Sequence, residues 1–475
     1  MKKFIWLLLF LPITPALAQL DRVWTLEECV ERAIQENITV KQAANQVVGS
    51  QNTKDAAVAN LAPNLNFQGG YFWNFGLSID PITNIRQSGD RQTASFTLSS
   101  SWVLFDGMQN VNQISISRLD YAASTYSLED AKNSVALNVV SSYLKVLLDK
   151  EVADITQEQL VISTEFLDRT QKLYEAGSIP KGEYLQAEAQ VASDEQALMT
   201  ANNSLALSKL ALVQLLMLQS ADGFEVTSPD DGIEVDNTIL SRTPQSIYES
   251  AISTQPGALA AEMRKQSAEK SINLAEGSYY PTLSLSGQIN SNFANDLKRA
   301  TSTLDTLIPL GYTAGSQELV LPFQSSTIPL GYEDYTLWDQ FSNNVNYFVG
   351  INLSIPIFNR LQTRNGVRSA QIQYENANLN YVQVQNDLYQ TIQRAHADAQ
   401  ASFRNYFAAQ RSVEANAENF AYATERKTVG AINQYDYQLA RNNLLQAESQ
   451  RLQSKYDYFF KVKTLEFYLN NQLSF

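Results

Sequence analysis

Two stretches of this chain are copies of each other. The segment beginning at Glu31, ERAIQENITV, and the segment beginning at Glu249, ESAISTQPGA, align without gaps at an offset of 218. That offset places Ala33 on Ala251, Ile34 on Ile252, Pro63 on Pro281, Leu65 on Leu283 and Gly69 on Gly287. Farther along the offset becomes 253: Leu104-Phe105-Asp106 falls on Ile357-Phe358-Asn359, Gly177 on Gly430 and Tyr184 on Tyr437. The difference of 35 residues falls between two strands, so the second copy carries extra loop there. A duplication of so long a period means one supersecondary unit built twice, and any fold assigned to the first half must serve the second.

Each copy contains a pair of segments in which apolar and uncharged polar residues alternate. Leu65, Phe67, Tyr71 and Trp73 share one face against Asn64, Asn66 and Gln68, and Phe96, Leu98, Trp102 and Leu104 oppose Thr97, Ser99 and Ser101. The second copy sets Leu283, Leu285, Ile289 and Phe293 against Ser284, Ser286, Gln288 and Asn290, then Val345, Tyr347, Val349, Ile351, Leu353, Ile355 and Ile357 against Asn346, Asn352 and Ser354. Period-2 alternation over about ten residues, without charge, is the pattern of transmembrane β-strands. A sandwich with one wet face fits the alternation equally well; an export signal at the N-terminus, the aromatic rims and the absence of charge along all four strands favour the membrane. Four strands cannot close a barrel: membrane strands must leave no edge exposed to lipid, and single-chain barrels begin at eight. The missing strands must come from other copies of the chain; two would make a barrel too narrow for much lumen, three a barrel of twelve.

Between the strand pairs the chain repeats every seven residues. Ile114, Tyr121, Leu128 and Val135 match Val367, Tyr374, Tyr381 and Leu388; Tyr184, Val191, Leu198, Leu205 and Leu212 match Tyr437, Leu444, Arg451, Tyr458 and Leu465. A sustained 3.5-residue period makes helices that supercoil left-handedly about one another. The accompanying positions are often small, as at Ala370 and Ala377, which suits helices standing side by side in a wide tube better than a rod. At 1.5 Å per residue the stretch 108–176 would extend about 100 Å. Gly177 and Gly430 stand where each long helix ends, and glycine there supplies the left-handed residue of a helix terminus. Pro180 follows where a helix start needs no N–H.

Met1-Lys2-Lys3, the apolar run Phe4–Leu11 and Ala16-Leu17-Ala18 form a secretory signal cleaved after Ala18. Cys29 is the only cysteine and His396 the only histidine of the 475 residues, which excludes an intrachain disulfide and a Cys/His metal cluster and leaves little room for a histidine-based catalytic set. No cofactor or metal is expected, and the chain reads as a non-enzyme. Cys29, among Leu26, Val30 and Ala33, reads as a core residue; His396, between Arg394, Ala395, Ala397 and Asp398, reads as a helix-surface residue. A net charge of −14 argues against nucleic acid as a partner.

With these features together the chain resembles the TolC family of outer-membrane efflux proteins. The residues that carry the resemblance are the duplication, the WVLFDG and IPIFNR segments closing each strand pair, and the glycine-containing hairpin tips. The resemblance implies a homotrimer: a twelve-stranded outer-membrane β-barrel, four strands from each chain, continuous with a long periplasmic α-helical barrel. It implies a passive exit duct of a tripartite efflux or type I secretion system, docked to a periplasmic adaptor and an inner-membrane transporter. On this reading residues 1–18 are the signal peptide, and 19–219 the first repeat: short N-terminal helices, strand pair 64–105, long helix 107–176 and return helix 181–219. Residues 220–243 are an equatorial linker. Residues 244–475 are the second repeat: strand pair 282–358 with an extracellular loop at 294–344, long helix 361–429 and return helix 434–471. Family members constrict the tip with acidic side chains just after the hairpin glycine, and here Glu183 and Asp436 stand six residues after Gly177 and Gly430. Their alternative role is that of first-turn acids stabilising a helix N-terminus. A further acidic position of the family is Leu439 here, and a tip arginine is Ala431. Gly177, Ser178, Ile179, Gly430, Ala431 and Ile432 are the candidate adaptor contacts. The extracellular loop, which carries IPLGY twice, is either a cap over the barrel mouth or a surface for a partner. The competing function is a non-conducting scaffold spanning the envelope.

Overall fold

A computed structural model describes residues 23–79, 86–227, 238–307, 311–320 and 326–471. The expected signal peptide, the middle of the linker and the terminal Phe475 lie outside the described residues. The first half runs β1 Val23–Trp24, α1 Leu26–Glu36, α2 Ile38–Ala59, β2 Asn66–Asn74, β3 Leu77–Ile79, β4 Arg86–Ser88, β5 Arg91–Phe105, α3 Gln109–Glu175, α4 Lys181–Leu215 and β6 Glu225–Val226. The second runs through a 3-10 turn at Thr238–Ser241, then α5 Pro244–Ala251, α6 Pro256–Gly277, β7 Thr282–Ala294, β8 Lys298–Thr306, β9 Gly311–Tyr312, β10 Leu319–Val320, β11 Ser326–Asp334, α7 Leu337–Asn343, β12 Asn346–Ser354, α8 Gln362–Thr428 and α9 Gln434–Asn470. The chain divides into two units. One is helical, made of residues up to Thr53, Ser117–Ala268 and those from Ile372 on; the other, Lys54–Ile116 with Glu269–Gln371, holds the large sheet.

The helical unit contains the same core twice. Cys29, Ala33, Val139, Val146 and Leu212 are fully buried in one cluster; Ile247, Ala251, Ile392, Ala399 and Leu465, their images under the two offsets, are fully buried in the other. The helices that begin each copy are capped alike. Thr25 Oγ1 accepts from the backbone N–H of Glu28, completing a capping box, and Thr243 Oγ1 accepts from that of Ser246. Each such cap contributes about 1 kcal/mol. Near the middle of α3, the buried Tyr143 hydroxyl donates to the carbonyls of Trp24 and Thr227, at 3.1 and 2.6 Å, where β1 and β6 pair in parallel. His396 departs from the sequence expectation. It is buried, with Nε2 3.0 Å from the Arg242 carbonyl, because the turn preceding α5 lies over that face of α8. Its polar neighbours in sequence gave no sign of this covering.

In the other unit four antiparallel strands form one sheet in the order β12-β7-β5-β2. The duplication governs it to the residue. Asn66 pairs with Ser99 in the first hairpin, and their images Ser284 and Asn352 pair in the second. Between the hairpins β5 pairs with β7, with Ser101 opposite Ser286. The turn from β5 into α3 requires glycine at 107. Its φ is +68°, and a Cβ there would stand 2.3 Å from the Gly277 carbonyl oxygen at the end of α6.

Two details differ from the expectation. The fourth strand stops at Ser354 rather than running to Ile357, because Pro356 has no N–H to give to the ladder. The expected loop 294–344 is not loop throughout: β8 and β11 form an antiparallel hairpin, Lys298 opposite Asp334 to Thr306 opposite Ser326, β9 pairs with β10, and α7 follows.

Candidate functional site

The two hairpin tips are built by the same hydrogen bonds. At the first, Gly177 N–H donates to Tyr174 O and Ser178 N–H to Leu173 O, both at 2.8 Å. At the second, Gly430 N–H donates to Lys427 O at 3.2 Å and Ala431 N–H to Arg426 O at 2.8 Å. This pair of bonds is the Schellman motif, and its left-handed residue is glycine both times, at φ +73° and +71°. Arg426 Nη2 also donates to the Ala431 carbonyl at 3.0 Å, a further bond across the second tip. Gly177, Ser178, Gly430 and Ala431 are exposed, while Ile179 and Ile432 are half-buried behind them.

Glu183 and Asp436 occupy the same position in their helices, the third residue of the first turn. Asn433 caps α9, its Oδ1 accepting from the Asp436 N–H at 2.8 Å; Pro180 stands at the corresponding cap of α4 without a side-chain bond. Asp436 is exposed and Glu183 half-buried. Aromatic pairs join the helices beside the tips: Tyr174 stacks on Tyr184 at 5.6 Å, and Phe420 is tilted against Tyr437 at 5.5 Å.

Above the tips lies a charged layer that sequence reasoning missed. Asp194, Gln159 and Arg441 are all buried. Asp194 accepts from Gln190 Nε2 at 2.8 Å and Gln159 Nε2 at 3.3 Å, and Arg441 Nη2 donates to the Gln159 carbonyl at 3.1 Å. Burial lowers the Arg441 pKa, and the Asp194 carboxylate opposes that shift. A signal was present in the sequence: Ala187, Asp194, Ala201 and Ser208 are spaced by seven and all buried, so an aspartate stands in a seam of small residues.

The sheet presents a second functional surface. One face carries Phe67, Tyr71, Trp73, Leu98, Ile289, Tyr347, Val349, Ile351 and Leu353, largely exposed in the single chain. The only charged residue in its four strands is Arg91, at the first position of β5, ion-paired to Asp296 at 3.1 Å. Among the described residues no strand lies beyond β2 or β12 at the edges of this sheet. Among the described residues no helix is long and apolar enough to cross a membrane.

A sheet of this kind together with paired long helices is the architecture found in outer-membrane channel proteins. The chain belongs to the outer membrane efflux protein family, whose profile matches residues 29–216 and 247–471, two stretches that bracket the linker. It is thus an outer-membrane protein and an efflux channel. Outer membrane efflux protein BepC of Brucella suis biovar 1 (strain 1330) is 22% identical over 413 residues, 85% of this chain and 76% of that protein. The next two relatives are spanned over 61% and 54% of their own length. The fold is that of the outer membrane protein VceC from Vibrio cholerae, with a TM-score of 0.72 at 18% identity over 94% of this chain and 95% of that one. The transmembrane channel CusC superimposes with a TM-score of 0.73 at 18% identity, over 94% and 91% of the two chains.

Proposed function

We propose that three copies of this chain assemble into the exit duct of a tripartite efflux or type I secretion system, engaged at its hairpin tips by a periplasmic adaptor and an inner-membrane transporter. The observation that carries this reading is the four-stranded sheet with one apolar face, one polar face and two unpaired edges. Backbone at a lipid-exposed edge must find a partner, and twelve strands both remove every edge and leave a water-filled lumen. The apolar face then meets outer-membrane lipid. The residue division given above, 19–219, 220–243 and 244–475, is the domain plan of each chain.

In that assembly Gly177, Ser178, Ile179, Gly430, Ala431 and Ile432 form the surface offered to the adaptor. Glu183 and Asp436 contribute six carboxylates around the opening, a ring that favours cations and repels its own members when drawn together. The duct is passive, and cargo is chosen by the inner-membrane partner.

Single-channel conductance in a planar bilayer tests the reading, with the wild-type complex compared to the Glu183→Ala/Asp436→Ala variant. Small, cation-selective currents that grow or lose selectivity in the variant support a duct with an acidic tip. Unchanged currents leave the duct standing and return both acids to the role of helix-end residues. An intact oligomer that conducts in neither form favours the scaffold.

A further inference from the structure

Helix α7, in the insertion peculiar to the second repeat, is tied to the sheet at a place where the sheet would otherwise be incomplete. β12 pairs with β7 only as far as Asn346 opposite Asn290, yet β7 continues to Ala294. The backbone left over on that edge is satisfied by side chains of α7 and its cap. The fully buried Gln340 accepts from the Ala294 N–H at 3.0 Å and donates to the Ala294 carbonyl at 2.8 Å, its amide standing in for a peptide group of the missing strand. Asn344 Nδ2 donates to the Asn292 carbonyl at 2.9 Å. Thr336 caps the helix, accepting from Asp339 N–H at 3.3 Å. The helix is therefore held in one orientation.

That orientation puts α7 on the apolar face of the sheet. Phe341 meets Phe96 edge-on at 4.4 Å, and Ser291 Oγ donates to the Phe341 carbonyl at 3.0 Å; Phe96 and Ser291 are register partners on that face. Trp338, one turn before Phe341 with ring centroids 6.3 Å apart, projects outward and is 79% exposed. The duplication gives this placement a meaning. Ser291 is the image of Trp73, which in the first repeat stands exposed on the apolar face, its ring tilted against Tyr71 at 4.7 Å. Where the second repeat has a serine, α7 covers it and presents a tryptophan instead. The β5 and β12 ends away from α3 and α8 are the ends near α7, so this is the rim opposite the helices. A tryptophan has an apolar body and one N–H, which suits it to the boundary between acyl chains and headgroups.

We propose that α7 is a lipid-contacting element of the outer leaflet, with Trp338 seated at the headgroup–acyl boundary where it restores the rim aromatic that the second repeat lacks. The insertion thereby sets the depth of the barrel on its outer side, and α7 is not a plug of the lumen. This inference rests on the reading that the apolar face meets lipid, and the test separates the two.

The complex is reconstituted in vesicles whose lipids carry bromine either near the headgroup or deep in the chains. Tryptophan fluorescence of wild type is compared with that of Trp338→Phe, the difference being the Trp338 signal. The expected result is at least a twofold loss of that signal with shallow bromine and a smaller loss with deep bromine, while acrylamide in the water has little effect. Quenching by acrylamide without quenching by bromine would place Trp338 in water and overturn the proposal. Quenching by neither would place it beneath another protein surface, which also overturns it. The Trp338→Phe form, through Trp73 and Trp102, reports on the band itself: if bromine quenches those but not Trp338, only the α7 inference falls, and if it quenches none, the membrane-facing reading falls with it.

Discussion

The pairing between β5 and β7 inside one chain foretells the pairing between chains. Moving β5 by 253 and β7 by −218 turns the observed pair Ser101–Ser286 into Ser354 on β12 and Gln68 on β2 of the next copy. Both fall on the polar, lumen-facing side. The pair is of the non-hydrogen-bonded kind, because the bond from Asn295 N–H to Gln92 O fixes the alternation along β5 and β7. Such partners have Cα atoms about 4.5 Å apart, inside the roughly 4.4–6.8 Å that a disulfide spans. A slip of one residue moves the partner about 3.4 Å and turns it to the opposite face. A slip of two residues leaves about 8 Å between Cα atoms, too far to bridge. The Ser354→Cys/Gln68→Cys variant, oxidised in the membrane and run under denaturing, non-reducing conditions, should migrate as a covalent trimer and collapse to monomer with reductant. Ser101→Cys/Ser286→Cys, with the same geometry inside one chain, should oxidise at a similar rate without changing the number of chains. Ser354→Cys/Gly70→Cys should cross-link at least tenfold more slowly. Faster bridging of that last pair than of Ser354–Gln68 would refute the transfer of register from repeat to assembly, and a ladder that stops at the dimer would refute closure by three chains.

Two further outcomes follow from the helical unit. Replacing Arg441 by Met leaves the buried Gln159 carbonyl without that donor and removes a positive charge that favours the buried Asp194 carboxylate, a loss of about 1–3 kcal/mol for a buried acceptor left unsatisfied. Thermal unfolding followed by circular dichroism should fall for the single variant and recover most of the loss in Asp194→Leu/Arg441→Met; equal stability of all three forms would show that the layer contributes nothing. Burial, helped by Glu28 and Glu27, pushes the Cys29 thiol up to about 12 from an ordinary 9.0. The fold thus holds the neutral thiol, and its stabilisation is complete below about pH 9 and is lost as the pH rises toward 12. The native protein should resist alkylation at pH 8 while the unfolded chain reacts readily. In Cys29→Val, which approaches the Ile247 of the second core, stability should decline less than in wild type over that alkaline window.

Much of the architecture was legible because it rests on periodicities. The seven-residue spacing from Ile114 to Val135 and from Tyr184 to Leu212 lies in α3 and α4, and none of those residues is exposed. The alternation that marked Tyr347 to Leu353 describes one face of β12. The duplication then carried the strands β7 and β12 and the helices α5, α6, α8 and α9 over from the first half, but not β8 to β11 or α7, which have no image there. The tip glycines were legible for a different reason, since a left-handed residue after a long helix leaves few other choices. What stayed hidden depends on contacts between distant segments. Nothing near His396 in sequence announces the Arg242 carbonyl 154 residues away. Gln340 replaces a strand partner, a role that no local pattern encodes. The buried Asp194 needed the reverse inference, in which a charge in an Ala and Ser seam marks a partner on another helix rather than a break in the seam.

The strand that opens the described chain finds its partner very late. Val23 and Trp24 pair with Glu225 and Val226, about two hundred residues onward, and Tyr143 binds both segments at once. None of these contacts can form until almost half of the polypeptide is present. A chain destined for the outer membrane must first pass the inner one, and transport of an unfolded polypeptide is hindered by any stable structure formed early. With its first strand waiting on so remote a partner, the start of the described chain has no local sheet to settle into. Contacts of such high sequence separation form slowly. The closing of this two-stranded sheet is therefore a late event in folding, one that waits on the end of the first half.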